Sequence, residues 1–187
     1  DIFVEYAKQS PEDLAIRLRI INRGPDAAPL TVLPTLWFRN TWAWDEGAKD
    51  KPGIHLLPGG HAAVADRAGL PEYHLYADGA TEWIFTENET NTQRLYNSPN
   101  KAAHVKDAFH DYVVAGDRGA VDPAGEGTKV AAHHVLTLAA GGSASGFLLN
   151  AVAEGSIEEL VTHIEANIGP IAVAVFNLGA QIGDRGL

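Results

Sequence analysis

Apolar and polar residues alternate in short bursts over the first 150 positions. Leu14-Ala-Ile-Arg-Leu-Arg-Ile-Ile21 is the clearest case: in an extended chain Ile16, Leu18 and Ile20 fall on one face and Arg17 and Arg19 on the other. Ile2 to Tyr6 alternates in part, and Leu30-Thr-Val-Leu33 resumes after the turn cluster Asn22-Arg-Gly-Pro-Asp26. Further strand-length runs are His61 to Ala65, Glu72 to Tyr76, Glu82 to Phe85, Lys129 to Leu138 and Ala144 to Asn150. Loops bearing Gly or Pro separate them, among them Pro52-Gly53, Pro58-Gly-Gly60, Asp78-Gly79 and Gly141-Gly142. Short strands at this spacing predict a mainly β chain, an antiparallel β-sandwich rather than βαβ units.

The pattern changes near residue 150. Ser156-Ile-Glu-Glu159 has the form of a capping box, and Ile157, Leu160, Val161 and Ile164 then share one helical face up to Gly169-Pro170. The continuous apolar run Ile171-Ala-Val-Ala-Val-Phe176 comes next, in the manner of a buried strand. The expected organisation is a sandwich over 1–150 and an appendage over 151–187, one C-terminal helix followed by a buried strand. Such a strand must be covered, so a homo-oligomer formed through exposed apolar surface is an expected partnership.

The 187 residues suffice for one substantial domain with a full core, and 45% apolar with 20% charged is ordinary globular usage. A formal net charge of −10 argues against nucleic-acid binding, which draws on clustered Lys and Arg. No apolar run is long enough to span a bilayer, so no membrane partner is expected. The chain has no signal-like start and no cysteine, which together give a cytoplasmic expectation and exclude disulfides and a Cys nucleophile. It also lacks methionine, even at position 1, and so reads as a piece of something longer.

Candidate chemistry concentrates in Leu33-Pro-Thr-Leu-Trp-Phe-Arg-Asn-Thr-Trp-Ala-Trp44. Aromatic faces stack on apolar sugar faces, while amide and guanidinium groups read hydroxyls. Trp37, Arg39, Asn40, Trp42 and Trp44 are therefore candidate carbohydrate-binding residues, with core packing as the competing reading of the tryptophans. The polar loop Thr86-Glu-Asn-Glu-Thr-Asn91 adds Glu87 and Asn88, as sugar or cation ligands or as a self-bonded turn. Its Asn88-Glu-Thr90 also fits a glycosylation acceptor.

Eight histidines make a metal worth weighing, with His104, His110, His133 and His134 as the candidate ligands beside Asp107 and Asp111. His133 and His134 adjoin on a strand and should face opposite ways, and no His-Glu-x-x-His motif is present. Neither a metal site nor a cofactor is expected. Glu82, Glu87 and Glu89 near Trp83, or Asp107 with Asp111, are the carboxylates from which a hydrolase pair could be drawn. Gly142-Ser-Ala-Ser-Gly146 does not have the spacing of a serine-hydrolase elbow.

Several motifs occur in a telling order: Phe3-Val-Glu-Tyr-Ala-Lys8, Asn22-Arg-Gly-Pro25, Leu33 to Trp42, Phe85 to Asn91, Val105-Lys-Asp107, Asp111-Tyr-Val-Val114 and Gly127-Thr-Lys129. This order resembles bacterial proteins of glycoside hydrolase family sixty-three and their mannosylglycerate-hydrolase-like relatives, over residues 1 to about 150. The resemblance implies the N-terminal β-sandwich of a glucosidase-like enzyme, leaning on an (α/α)6 barrel that carries the catalytic carboxylates. That barrel is not in this chain, so neither catalytic acid is carried over. The resemblance thus implies a carbohydrate-enzyme accessory domain whose aromatic loop faces the barrel or its pocket rim. The alternative is a small stand-alone hydrolase, with or without a metal, built from His and Asp/Glu on the sandwich.

Glu154 to Leu160 and Ile168 to Ala180 resemble instead a short-chain dehydrogenase segment, with Asn177-Leu-Gly-Ala180 in the place of its cofactor loop. The Gly-rich phosphate turn and a Tyr-x-x-x-Lys pair are missing, so hydride transfer is not expected. The chain reads as a chimera joined near residues 148 to 153.

Overall fold

Strands form where the alternation places them. The computed structural model describes residues 1–8, 13–44 and 51–151. Its strands are β1 (Ile2–Lys8), β2 (Leu14–Ile21), β3 (Ala28–Val32), β4 (Thr35–Trp37), β5 (Gly53–Leu56) and β6 (Ala62–Asp66). They continue as β7 (Tyr73–Ala77), β8 (Glu82–Thr86), β9 (Glu126–Gly127), β10 (Lys129–Leu138) and β11 (Ser143–Ala151). Among the described residues helix is confined to short pieces, α1 (Thr92–Tyr96), α2 (Ala108–His110) running into a π turn at Asp111–Ala115, and a 3₁₀ turn at Arg118–Ala120. The chain is thus mainly β and antiparallel, as the alternation predicts. The C-terminal helix and the strand over Ile171 to Phe176 lie outside the described residues. No helix among the described residues is long and apolar enough to cross a membrane.

A larger sheet runs β1-β2-β11-β7-β6-β5-β9. A smaller one is built around β10, which pairs with β3 through its second half and with β4 and β8 through its first. The registers of β3 and β4 on β10 are continuous (Val32 opposite His134, Thr35 opposite Ala131), so the two are one strand interrupted at Pro34, which has no N–H to give. The inner faces meet in a single core: Ile16, Leu18, Ile20, Ile54 and Leu75 from the larger sheet against Leu36, Phe38, Phe85 and Val130 from the smaller side. A second, smaller cluster lies on the outer face of the smaller sheet, where Phe109, Tyr112 and Val121 cover Ile84 and Ala131. Sheet on sheet with a helical cap is what buries both faces of the first half of β10, Val130 to His133, while Val135 and Thr137 on its outer face are exposed.

At one edge the larger sheet outruns the smaller. Ile2, Val4 and Tyr6 sit opposite Ile20, Leu18 and Ile16, hence on the core side, yet they are 65%, 44% and 58% exposed. On the other face Arg17 pairs with Glu5 at 2.6 Å and Arg19 covers the Phe3 ring.

His133 and His134 point to opposite faces, as adjacency on a strand requires. His133 donates its Nδ1–H to the Glu82 carboxylate at 2.7 Å, and that carboxylate also accepts from Arg118. His134 is fully buried between the sheets and neither ring nitrogen has a hydrogen-bond partner. Burial holds its pKa below the ordinary histidine value. A ring with a lowered folded pKa binds fewer protons in the fold than in the unfolded chain. Stability is therefore fully present above about pH 6.5 and falls as the pH drops below it, by at most ~1.4 kcal/mol per pH unit from this group. Urea midpoints measured from pH 8 down to 5 should show that loss, and His134→Leu should flatten it. An unchanged slope in the variant would assign the acid sensitivity to other groups.

Candidate functional site

The chain crosses from the larger sheet to the smaller at Gly127-Thr128. Gly127 still pairs with Ile54, while Lys129 already pairs with Thr86 and Trp37. At this corner a Cβ on Gly127 would stand 2.4 Å from the Thr86 carbonyl oxygen, so only glycine lets β9 approach β8 so closely. Thr128, nearly fully buried, then ties three segments together. Its hydroxyl donates to Glu87 at 2.7 Å and accepts from the Asn88 N–H at 2.7 Å, and its carbonyl accepts from the Phe38 N–H at 3.0 Å.

Two loops are locked to each other above this corner. The Asn88 amide donates to the Phe38 carbonyl at 2.8 Å, and the Asn40 amide donates to the Asn88 carbonyl at 2.9 Å. Asn40 also accepts from the Ala43 N–H, which turns the chain so that Trp44 projects outward. The Trp42 indole donates to Glu89 at 2.7 Å while its ring packs on the core. Behind the second loop, Asn91 caps α1 and bonds Asp107, which also takes Arg94 at 3.1 Å. The side chains that remain uncommitted are those at the rim.

The loops enclose an open cavity of about 300 Å³ lined by Asn40, Ala43, Trp44, Asn88, Glu89, Thr90, Thr92, Lys101 and Lys106. Trp44 is 69% exposed, with the Arg39 guanidinium 4.8 Å from its ring centroid. The Lys106 ammonium reaches the Thr90 hydroxyl at 3.2 Å. Below it, Lys129 donates to the Lys106 carbonyl and lies 4.3 Å from the Phe109 ring centroid. Burial pushes the Lys129 pKa down to about 8, with Asp107 opposing and the charge of Lys106 adding to the shift. Chemically this is a sugar-sized recess with one open aromatic face, amide and hydroxyl groups, and ammonium groups.

The candidate residues separate by position. Asn40, Trp44 and Asn88 line the cavity, and Arg39 reaches it through Trp44. Trp42 supports the wall from behind. Trp37 stands on β4 opposite Lys129, outside the lining. Glu87 turns away to Lys51 at 2.6 Å, into a separate open cavity of about 410 Å³ that also holds His55, Asp66, Asp122 and Glu126. Adjacent residues Glu87 and Asn88 thus serve different cavities. Asn88 spends its side-chain amide on the Phe38 carbonyl, an architectural role for the residue of the glycosylation pattern.

The glutamates among the hydrolase candidates are dispersed, while Asp107 and Asp111 flank the short helix α2. Glu82 begins β8 beside His133 and Arg118, while Glu87 and Glu89 follow its far end, so the three do not cluster. A five-residue strand puts about 17 Å between those ends. His104 bonds the Ala120 carbonyl, His110 is exposed at the end of α2, and His134 is enclosed in the sandwich. No group of three or more His, Asp or Glu among the described residues could hold a metal ion. The candidate loop over residues 86–91 contributes Thr90 to the lining, whereas sequence reasoning missed Thr92, Lys101 and Lys106. They belong to segments brought beside the aromatic loop only by the pairing of β8 with β10 and the backbone bonds of Glu87 and Glu89 to 104–106.

No protein-family model matches the chain, and no solved structure matches it significantly. Among curated proteins it is similar to Uncharacterized protein YMR196W of Saccharomyces cerevisiae, 34% identical over 159 residues. The match takes in 71% of this chain and 15% of the yeast protein, so the chain corresponds to a small part of that much longer relative.

Proposed function

We propose that this chain is a carbohydrate-binding accessory β-sandwich from a glucosidase-like glycoside hydrolase, and that its role is to grip sugar rather than to cleave it. One observation carries the reading: Asn40, Trp44 and Asn88, distant in sequence from one another by up to 48 positions, line one recess of about 300 Å³. The likeness to a fragment of a longer yeast protein is in keeping with an accessory role beside a catalytic part. A single carboxylate, Glu89, lines the recess and it is held by the Trp42 indole, whereas glycoside hydrolysis by the usual routes takes two. The stand-alone hydrolase alternative gains no support from the dispersed histidines.

Titration with glucose and mannose oligosaccharides, followed by Trp fluorescence, tests this. Trp44→Ala should weaken binding about tenfold, the loss of one stacking platform, without lowering stability, because the ring is mostly exposed. Trp37→Phe should leave affinity unchanged. No fluorescence change at millimolar sugar, with Trp44→Ala equally silent, would reduce the recess to a packing feature.

A further inference from the structure

β1 is the outermost strand of the larger sheet, and among the described residues it pairs only with β2. Its first residue settles which way the backbone groups point. Asp1 gives its amine to the Ile21 carbonyl at 2.7 Å and receives the Ile21 N–H at 2.8 Å. In an antiparallel pair such exchanges fall at every second residue, so Phe3 and Glu5 bond inward to Arg19 and Arg17. Ile2 and Val4 therefore turn their N–H and C=O outward, to the edge. Their side chains are also exposed, at 65% and 44%, on the core side of the sheet. Over Ile2 to Tyr6 the strand has no proline, no bulge and no charge on its core side, the usual guards of an open edge. Lys8, the one such charge on β1, stands at the far end.

The strand is complementary to itself. A second copy related by a two-fold axis normal to the sheet runs antiparallel to β1 and keeps the same face on the same side. With the axis at Val4, the outward groups of Val4 meet those of the second copy's Val4, and Ile2 stands opposite its Tyr6. The core-side row stays apolar across the junction. On the other face Phe3 meets the second copy's Glu5. The Arg19 guanidinium already lies 4.7 Å from the Phe3 ring centroid, so it stands beside that incoming carboxylate, and the contact recurs across the axis. The neighbouring registers are worse: with the axis at Glu5 two Glu5 carboxylates oppose each other, and with the axis at Phe3 Asp1 opposes Glu5. We infer that this chain associates with a second copy through β1, antiparallel about Val4, joining two larger sheets into one. The occupant of the edge is another molecule rather than the chain's own apolar run Ile171 to Phe176, because backbone direction, apolar row and the Arg19–Glu5 contact are all self-complementary.

Sedimentation of the full chain from about 1 μM to about 1 mM tests this. Each copy carries −10, undescribed residues included, so about 150 mM salt is used, which screens charges farther apart than ~8 Å. The mass should rise from 19.9 kDa toward twice that value, and amide exchange at Ile2 and Val4 should slow in step with it. Val4→Lys sets two ammonium groups opposite one another and should weaken dimerisation about tenfold or more. Its urea midpoint should stay near the parent, since Val4 is half exposed and bonds outward. Glu5→Lys and Arg19→Glu should each weaken the homodimer. An equimolar mixture of those two variant chains should dimerise about as well as the parent, because the mixed pair restores both charge contacts across the axis. A mere loss of hairpin stability in either variant would not be repaired by mixing. A chain still monomeric at about 1 mM overturns the inference, and slow exchange at Ile2 and Val4 in that monomer would give the edge to the chain's own tail. A dimer indifferent to Val4→Lys would overturn it in favour of another surface, and a mixture no better than its two components would overturn it likewise.

Discussion

Gly127→Ala is expected to cost about 3 kcal/mol or more, a severe effect for one methyl group. The methyl would stand 2.4 Å from the Thr86 carbonyl oxygen and 2.9 Å from its carbon, both of them backbone atoms, so no side-chain rotation relieves the contact. β8 and β9 must separate, and with them the three segments that Thr128 joins. Thermal unfolding should show the melting temperature falling by about 6–12 °C for a domain of this size. On the proposed sugar-binding role, affinity should fall as well, because Asn88 loses the hydroxyl that positions its N–H. A melting temperature within about 2 °C of the parent would show that the corner can open freely, contrary to the close approach of its two strands.

Phe38→Ala should rival it by a different route. Phe38 is 1% exposed and belongs to the shared core, immediately before Arg39 and Asn40. Truncating a buried Phe removes apolar contact and leaves a cavity, together worth about 3–5 kcal/mol. That is a large share of the roughly 5–15 kcal/mol typical of a folded domain. The urea midpoint should drop with the denaturant slope unchanged. Comparison with Trp44→Ala separates the two positions in the aromatic stretch, one residue buried in the core and the other lining the recess. If Phe38→Ala unfolds at the parental midpoint, the loop is not anchored through the core.

Local pattern was enough to place most strands. Leu14–Ile21 and Lys129–Leu138 could be read to the residue, because strict alternation or a long β-rich run leaves one extended reading. The short strands β4, β5 and β9 were not legible. Each is only two to four residues long and exists because a neighbour offers hydrogen bonds, which no local window contains. The same limit applies to the site. Trp44, Asn40 and Asn88 stand out by residue type, but three tryptophans of similar sequence context have three different fates. Trp42 packs inward and gives its indole N–H to Glu89, Trp44 meets solvent, and Trp37 stands on β4 opposite Lys129, differences set by neighbours distant in sequence. Lys101 and Lys106 carried no signal as lining residues, since a lysine in a polar segment is ordinary until its neighbours are known.

The hairpin β10–β11 is the joint of the whole sandwich. β10 is the central strand of the smaller sheet, and β11 inserts between β2 and β7 of the larger. Remove it and the β1–β2 pair is no longer connected to the β5–β6–β7 meander, while β3, β4 and β8 lose their common neighbour. Both sheets therefore await a segment that follows residue 128 in the chain. During synthesis most of the apolar residues that form the core emerge before the two strands that shelter them, and neither sheet can close by growing outward from its first hairpin. Assembly is thus weighted toward distant pairings, which makes for slow folding and a long interval of exposed edges.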